Sequence, residues 1–210
     1  MPRKYVGISL RVVLVDKFNE KRDALSQDWT KFLDKFNAYP ILIPNTLSNV
    51  EDFFNKIKID ILVLSGGDSI GEYPERDETE KKLIDFAIKK NIPILGVCRG
   101  MQILNDYFGG TTTVTNNQKH VSKPHTVNLI NPKFSQIFGK DKLNVNSFHN
   151  NVITHKNLGK HLEPFGLSTN DNTVEGFFHK THTIIGVMWH PERDSNVELE
   201  LILMNTLKND

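Results

Sequence analysis

The 210-residue chain predicts an α/β fold, a mostly parallel central sheet flanked by helices with a smaller antiparallel strand region in the second half. Three observations carry that expectation. In the first half, short apolar runs alternate with longer helix-compatible segments, the order from which a parallel sheet covered on both faces is built. The two most unusual stretches, "SGGDSIG" (65–71) and "GVCRG" (96–100), each follow an apolar run directly. The carboxyl ends of strands are where sheets of this kind hold their ligands. In the second half the apolar runs are short and bounded by polar, turn-forming residues, which suits hairpins.

Taken in order, "YVGIS" is a brief apolar run and reads as a first strand at 5–9. A mixed apolar-polar segment at 23–37 has the period of a helix, and "PILI" at 40–43 returns to strand character. The pattern repeats with helix 50–57, strand 60–65, helix 78–91 and strand 93–97. A further helix at 101–108 is closed by Gly109-Gly110, a common way for a helix to stop. Strands are then expected at 126–130, 174–178 and 184–188, and a last helix at 197–208.

Composition narrows the function. With 26 basic and 25 acidic residues the net charge is +1, so no overall field attracts nucleic acid or an anionic membrane. An anionic ligand would have to be held locally. Nothing reads as a secretory leader, and no stretch approaches the ~18 apolar residues of a membrane span. One cysteine allows no internal disulfide, which suits a reducing compartment, so a cytoplasmic location is expected. Without linker or repeat, residues 1–210 are expected to form one domain.

That cysteine, Cys98, sits in the frame Gly-x-Cys-x-Gly between an expected strand and an expected helix. A lone cysteine is usually a small buried hydrophobe. The frame argues otherwise, because small flanking residues let a strand-to-helix turn close tightly and leave a nucleophile exposed at its apex. At a helix N-terminus the unpaired amides and the dipole also favour thiolate. A base is needed, and His190 follows the apolar run 184–189 in "HPER". Pro191 keeps His190 extended, and residues two apart in an extended chain face the same side, so Glu192 can orient the imidazole. Asp194 is the rival orienter. The backbone amide of Arg99, directly after the nucleophile, could receive an oxyanion, and the Gly66-Gly67 pair is the natural source of a second donor.

"GVCRGMQILNDYFGGT", "SGGDSI" and "GVMWHPE" together resemble the three landmark motifs of the class I glutamine amidotransferases, in that family's order and over essentially the whole chain. The resemblance implies the family's fold, a Cys98–His190–Glu192 triad, a γ-glutamyl thioester on Cys98 and an oxyanion hole at Gly67 and Arg99. It also implies that Gln102 and the "NSFHN" segment, through Ser147, Phe148 and His149, hold the amino and carboxylate groups of a glutamyl substrate. "CRG" and the long "GGDSI…EYPERDETE" segment are similar to the γ-glutamyl hydrolase branch, whose small-molecule substrates are γ-glutamyl amides larger than glutamine. The opening segment further resembles hydrolases of a nucleotide amidate, cut by water to L-glutamate and cytidine diphosphoramidate in making capsule phosphoramidates. Arg76, Arg99, His120 and Lys123 are then the cations expected to meet the diphosphate of the leaving group. The alternatives are a γ-glutamyl-GABA-type hydrolase, a glutaminase subunit feeding ammonia to a separate synthetase, or a module that kept the fold without the chemistry. No cofactor and no metal is expected, although His120 with His125, or His179 with His182, would be the pairs to consider for zinc. The sequence sets no oligomeric state.

Overall fold

The computed structural model describes residues 3–114 and 124–193. The chain enters as β1 (Lys4–Ser9) and turns into a hairpin of β2 (Arg11–Val15) and β3 (Glu20–Ala24). It continues through α1 (Gln27–Lys35), β4 (Ala38–Ile43), α2 (Val50–Lys56), β5 (Ile61–Leu64), α3 (Pro74–Lys89), β6 (Ile94–Val97) and α4 (Arg99–Tyr107). The second half adds β7 (Thr113–Val114), β8 (His125–Leu129), α5 (Pro132–Phe138), β9 (Lys142–Val145) and β10 (Asn151–Val152). It closes with β11 (Leu162–Ser168), β12 (Val174–His179), β13 (Ile184–Val187) and a 3-10 turn at Pro191–Arg193.

Nine strands form one sheet in the order β4-β1-β5-β6-β13-β12-β11-β8-β9. The side from β4 to β13 is parallel, and β12, β11, β8 and β9 extend it antiparallel. Successive side chains of a strand face opposite ways. Accordingly Ile61 and Val63 of β5 join a core with Trp29, Phe32 and Leu33 of α1, while Leu62 and Leu64 pack with Leu83 and Ile84 of α3 and Leu104 of α4. Both faces are therefore dry, which is why these strands read as continuous apolar runs rather than alternating ones. Pro40 is tolerated because β4 is the edge of the sheet.

Two expectations shift. The helix expected at 23–37 begins only at Gln27, where Ser26 accepts the Asp28 amide as a cap, because Asp23 and Ala24 belong to β3 and pair with Val12 and Arg11. The helix expected from 78 begins at Pro74, one turn earlier, with proline at the position that needs no amide donor. The expected helix at 197–208 lies outside the described residues. Among the described residues, no helix is long and apolar enough to cross a membrane.

The sheet order brings the three motifs together. β6 lies between β5 and β13, with Gly96 opposite Leu64 on one side and Gly186 on the other. The Gly66-Gly67 bend, Cys98 and the His190 turn thus leave the carboxyl ends of three adjacent parallel strands.

Candidate active site

Cys98 occupies φ 52°, ψ −105°, a conformation that costs an ordinary residue about 1–3 kcal/mol. The turn is held from both sides, since the Cys98 amide donates to the Val187 carbonyl at 2.8 Å and the Gln102 amide donates to the Cys98 carbonyl at 3.1 Å. Its neighbours must be bare. A Cβ at Gly100 would lie 1.9 Å from the Leu64 carbonyl oxygen, and one at Gly96 would lie 2.5 Å from the Gly100 carbonyl oxygen. Both obstacles are backbone and neither can rotate away. Gly100→Ala is accordingly expected to destabilise the protein by about 3 kcal/mol or more, read as a lowered Tm or loss of soluble protein. A variant with an unchanged Tm would show that α4 and β5 can move apart to admit a methyl group at little cost.

His190 is buried and fixed at its backbone by Asn146. The His190 amide donates to Asn146 Oδ1 at 2.8 Å, and Asn146 Nδ2 donates to the His190 carbonyl at 2.8 Å. Its Nδ1 lies 2.7 Å from Glu192 Oε1, while Cys98 is its other hydrogen-bond partner, which leaves Nε2 for the sulfur. Gly66 faces both, since a Cβ there would lie 2.8 Å from His190 Cε1 and 3.6 Å from Cys98 Cβ. Burial disfavours the imidazolium, but the hydrogen bonds and charges of Cys98 and Glu192 outweigh it and raise the pKa to about 9.

A folded-state pKa of about 9, above an unfolded value of about 6.5, has a definite sign. The stabilisation is complete below pH ~6.5 and is lost as pH rises through about 9. An NMR titration should find one histidine that stays protonated through neutral pH, absent from His190→Asn and shifted down in Cys98→Ala. A His190 signal titrating near its ordinary value in the intact protein would contradict the charge-paired arrangement.

The other expected residues separate into two groups. Gln102 is buried under the elbow and its Nε2 donates to Met188 Sδ at 3.7 Å. Phe148 is 43% exposed, with its ring edge-on to His190 at 5.7 Å, so it stands at the mouth. Ser147 is buried. His149 is turned to protein groups instead, with Nδ1 2.9 Å from the Asn151 carbonyl and Nε2 3.6 Å from Glu175. His125 lies on the other oxygen of Glu175 at 3.4 Å.

Arg76 is not at the mouth. It is 0% exposed, and its guanidinium donates to Asp68 at 2.9 Å, Glu80 at 3.1 Å and the Ser65 and Gly66 carbonyls at 2.9 and 3.1 Å. The early start of α3 explains this, because it sets Arg76 one turn before Glu80 on the buried face. Arg99 is turned the same way, donating to Glu80 and Asp77 rather than facing a ligand. Its amide, first in α4, has no acceptor within the helix and remains usable. Gly67, at φ 135°, carries no side chain because a Cβ would lie 2.7 Å from Arg76 Nη1. His120, Lys123 and Asp194 lie outside the described residues.

Of the pairs considered for zinc, His179 Nδ1 already accepts the Thr181 and His182 amides, each at 3.1 Å. Among the described residues no group of three or more metal-binding side chains is arranged to hold an ion.

The chain is similar to several known proteins. Residues 6–192 match the peptidase C26 family. The γ-glutamyl-CDP-amidate hydrolase of Campylobacter jejuni is 36% identical over 200 residues, covering 92% of each chain. A glutamine-hydrolyzing GMP synthase from Dictyostelium discoideum is 25% identical over 91% of this chain but only 29% of its own length. In structure, a glutamine amidotransferase from Thermotoga maritima superimposes with a TM-score of 0.69 at 20% identity, covering 100% of this chain and 87% of that one. The chain belongs to the peptidase C26 family, hydrolases on the class I glutamine amidotransferase fold.

Proposed function

We propose that this protein is a cysteine hydrolase that cleaves a γ-glutamyl amide through a γ-glutamyl thioester, with a nucleotide amidate as its substrate. The observation that carries the reading is the continuous chain Cys98–His190–Glu192 on a strained elbow, with His190 Nδ1 2.7 Å from Glu192 Oε1 and Cys98 as the other hydrogen-bond partner of the ring. Cys98 Sγ attacks the γ-carbonyl carbon, and the electron pair of the carbonyl moves to its oxygen, which the amides of Arg99 and Gly67 receive. On collapse the C–N bond breaks and His190 gives its proton to the leaving nitrogen. Neutral His190 then takes a proton from water, whose oxygen attacks the thioester and releases glutamate. Glu192 keeps the ring oriented in both halves.

The 36% identity to a γ-glutamyl-CDP-amidate hydrolase supports the choice of leaving group. The products proposed are L-glutamate and cytidine diphosphoramidate, and the setting proposed, from the resemblance of the opening segment, is capsule phosphoramidate synthesis. Gln102, Ser147 and Phe148 are the residues assigned in this reading to the glutamyl part, and a free thiol at the centre suits the cytoplasm. The similarity to a glutamine-hydrolyzing synthase favours one alternative, ammonia delivery to a partner. Incubating the purified protein with glutamine, γ-glutamyl-GABA and γ-glutamyl-CDP-amidate, and measuring glutamate, separates them. The nucleotide amidate is expected to be cut fastest without any partner. Glutamine as best substrate, accelerated by a synthetase, would replace this reading.

A further inference from the structure

Two arginines stand on the rim of the His190 pocket and take no part in the triad. Arg11 opens β2, immediately beyond β1, and the hairpin fixes it opposite Ala24. Arg11, Ala24, Gly66, Gly67, His190 and Arg193 line one pocket. The stem of Arg11 lies on the Gly67 bend, where a Cβ on Gly67 would come within 2.9 Å of Arg11 Cβ and 3.6 Å of its Nε. Arg193 follows Glu192 in the 3-10 turn, with its guanidinium 4.9 Å above the ring of Phe148.

Each cation has one long ion pair, to a carboxylate that is already engaged elsewhere. The Arg11 side chain is 47% exposed and its nearest carboxylate oxygen, on Asp68, is 3.8 Å away. Asp68 already accepts Arg76 at 2.9 Å and the Val12 amide at 3.0 Å. The Arg193 side chain is 36% exposed and 3.8 Å from Glu192 Oε1, which His190 engages at 2.7 Å. Among the described residues neither guanidinium donates a hydrogen bond, in contrast to buried Arg76 and Arg99.

The leaving nitrogen must sit beside His190, which protonates it, so the remainder of the leaving group runs along the wall that His190 shares with these arginines. We infer that Arg11 and Arg193 receive an anionic group, phosphate or carboxylate, carried by the amine leaving group, and that they set substrate preference. Guanidinium groups match the planar, multidentate geometry of such anions, and both arginines line the same pocket. The inference rests on the γ-glutamyl hydrolase reading and corrects the expected contact at Arg76. It also assigns a task to the β2–β3 hairpin, which otherwise stands apart from the sheet.

The test uses two chromogenic substrates of nearly equal size, L-γ-glutamyl-4-nitroanilide and L-γ-glutamyl-3-carboxy-4-nitroanilide, which differ by one anionic group on the leaving side. The readout is the ratio of kcat/KM, carboxylated over neutral. The wild-type ratio is expected to exceed one and to fall by about tenfold in Arg11→Ala and again in Arg193→Ala, mainly through KM, with Arg11→Lys between. Added salt should lower the wild-type ratio. A ratio unmoved, within about twofold, in the double variant would overturn the inference while leaving the hydrolase reading intact. Hydrolysis of neither substrate by the wild type would overturn the hydrolase reading, and the inference with it.

Discussion

Cys98→Ala is expected to lower kcat for γ-glutamyl hydrolysis by roughly four to six powers of ten, the loss found when the nucleophile of a catalytic triad is removed. Neither water nor another side chain in the described site can stand in for a sulfur held beside His190 at the start of α4. Cys98→Ser should be nearly as inactive, since a hydroxyl yields its proton far less readily than a thiol. The fold should survive both changes, because alanine and serine inherit the same turn and leave the bonds to Val187 and Gln102 in place. Mass spectrometry of the rapidly quenched wild type should show a γ-glutamyl adduct confined to the peptide containing Cys98. More than about a tenth of wild-type kcat remaining in the alanine variant would remove Cys98 from the role of nucleophile.

His190→Ala is expected to cost nearly as much, because the same ring stabilises the attacking sulfur and delivers the proton that lets the nitrogen leave. Glu192→Gln should be milder by roughly one to two powers of ten, since an amide can still accept or donate at the 2.7 Å contact while losing the charge that favours imidazolium. Steady-state rates of the two variants, alongside Asp194→Asn, test the assignment. If Asp194→Asn were the more damaging carboxylate change, Glu192 would lose its place as orienter.

The parts of the site that were readable in the sequence are those made by neighbours in the chain. Glycines two residues on either side of Cys98 announce an elbow, and Glu192 two residues after His190 announces its partner. The parallel half of the sheet was readable because its strands are buried on both faces and show as unbroken apolar runs. β3 was not, since "EKRDA" buries nothing and offers no alternation to detect. The earlier start of α3 did leave a signal, Pro74, that apolar periodicity alone passes over. Asn146, which grips His190 from 44 residues away, and Arg11, which lies over Gly67, depend on which strands become neighbours. A single sequence carries no local mark of either contact.

Arg99 has a divided existence. In the proposed mechanism its amide receives the oxyanion, whereas its guanidinium is sealed in a chamber with Glu80, Asp77 and, through Glu80, Arg76 and Ser9. The residue after the nucleophile is therefore read by helix α3 and not by the substrate, so the arginine of "CRG" is a poor guide to what the enzyme cleaves. A relative that changes position 99 should have to change positions 77 and 80 with it, because a buried carboxylate stripped of its cation is far more costly than the pair. Diversification of substrate choice would then run through the hairpin and the 3-10 turn, where side chains face water and can be exchanged one at a time.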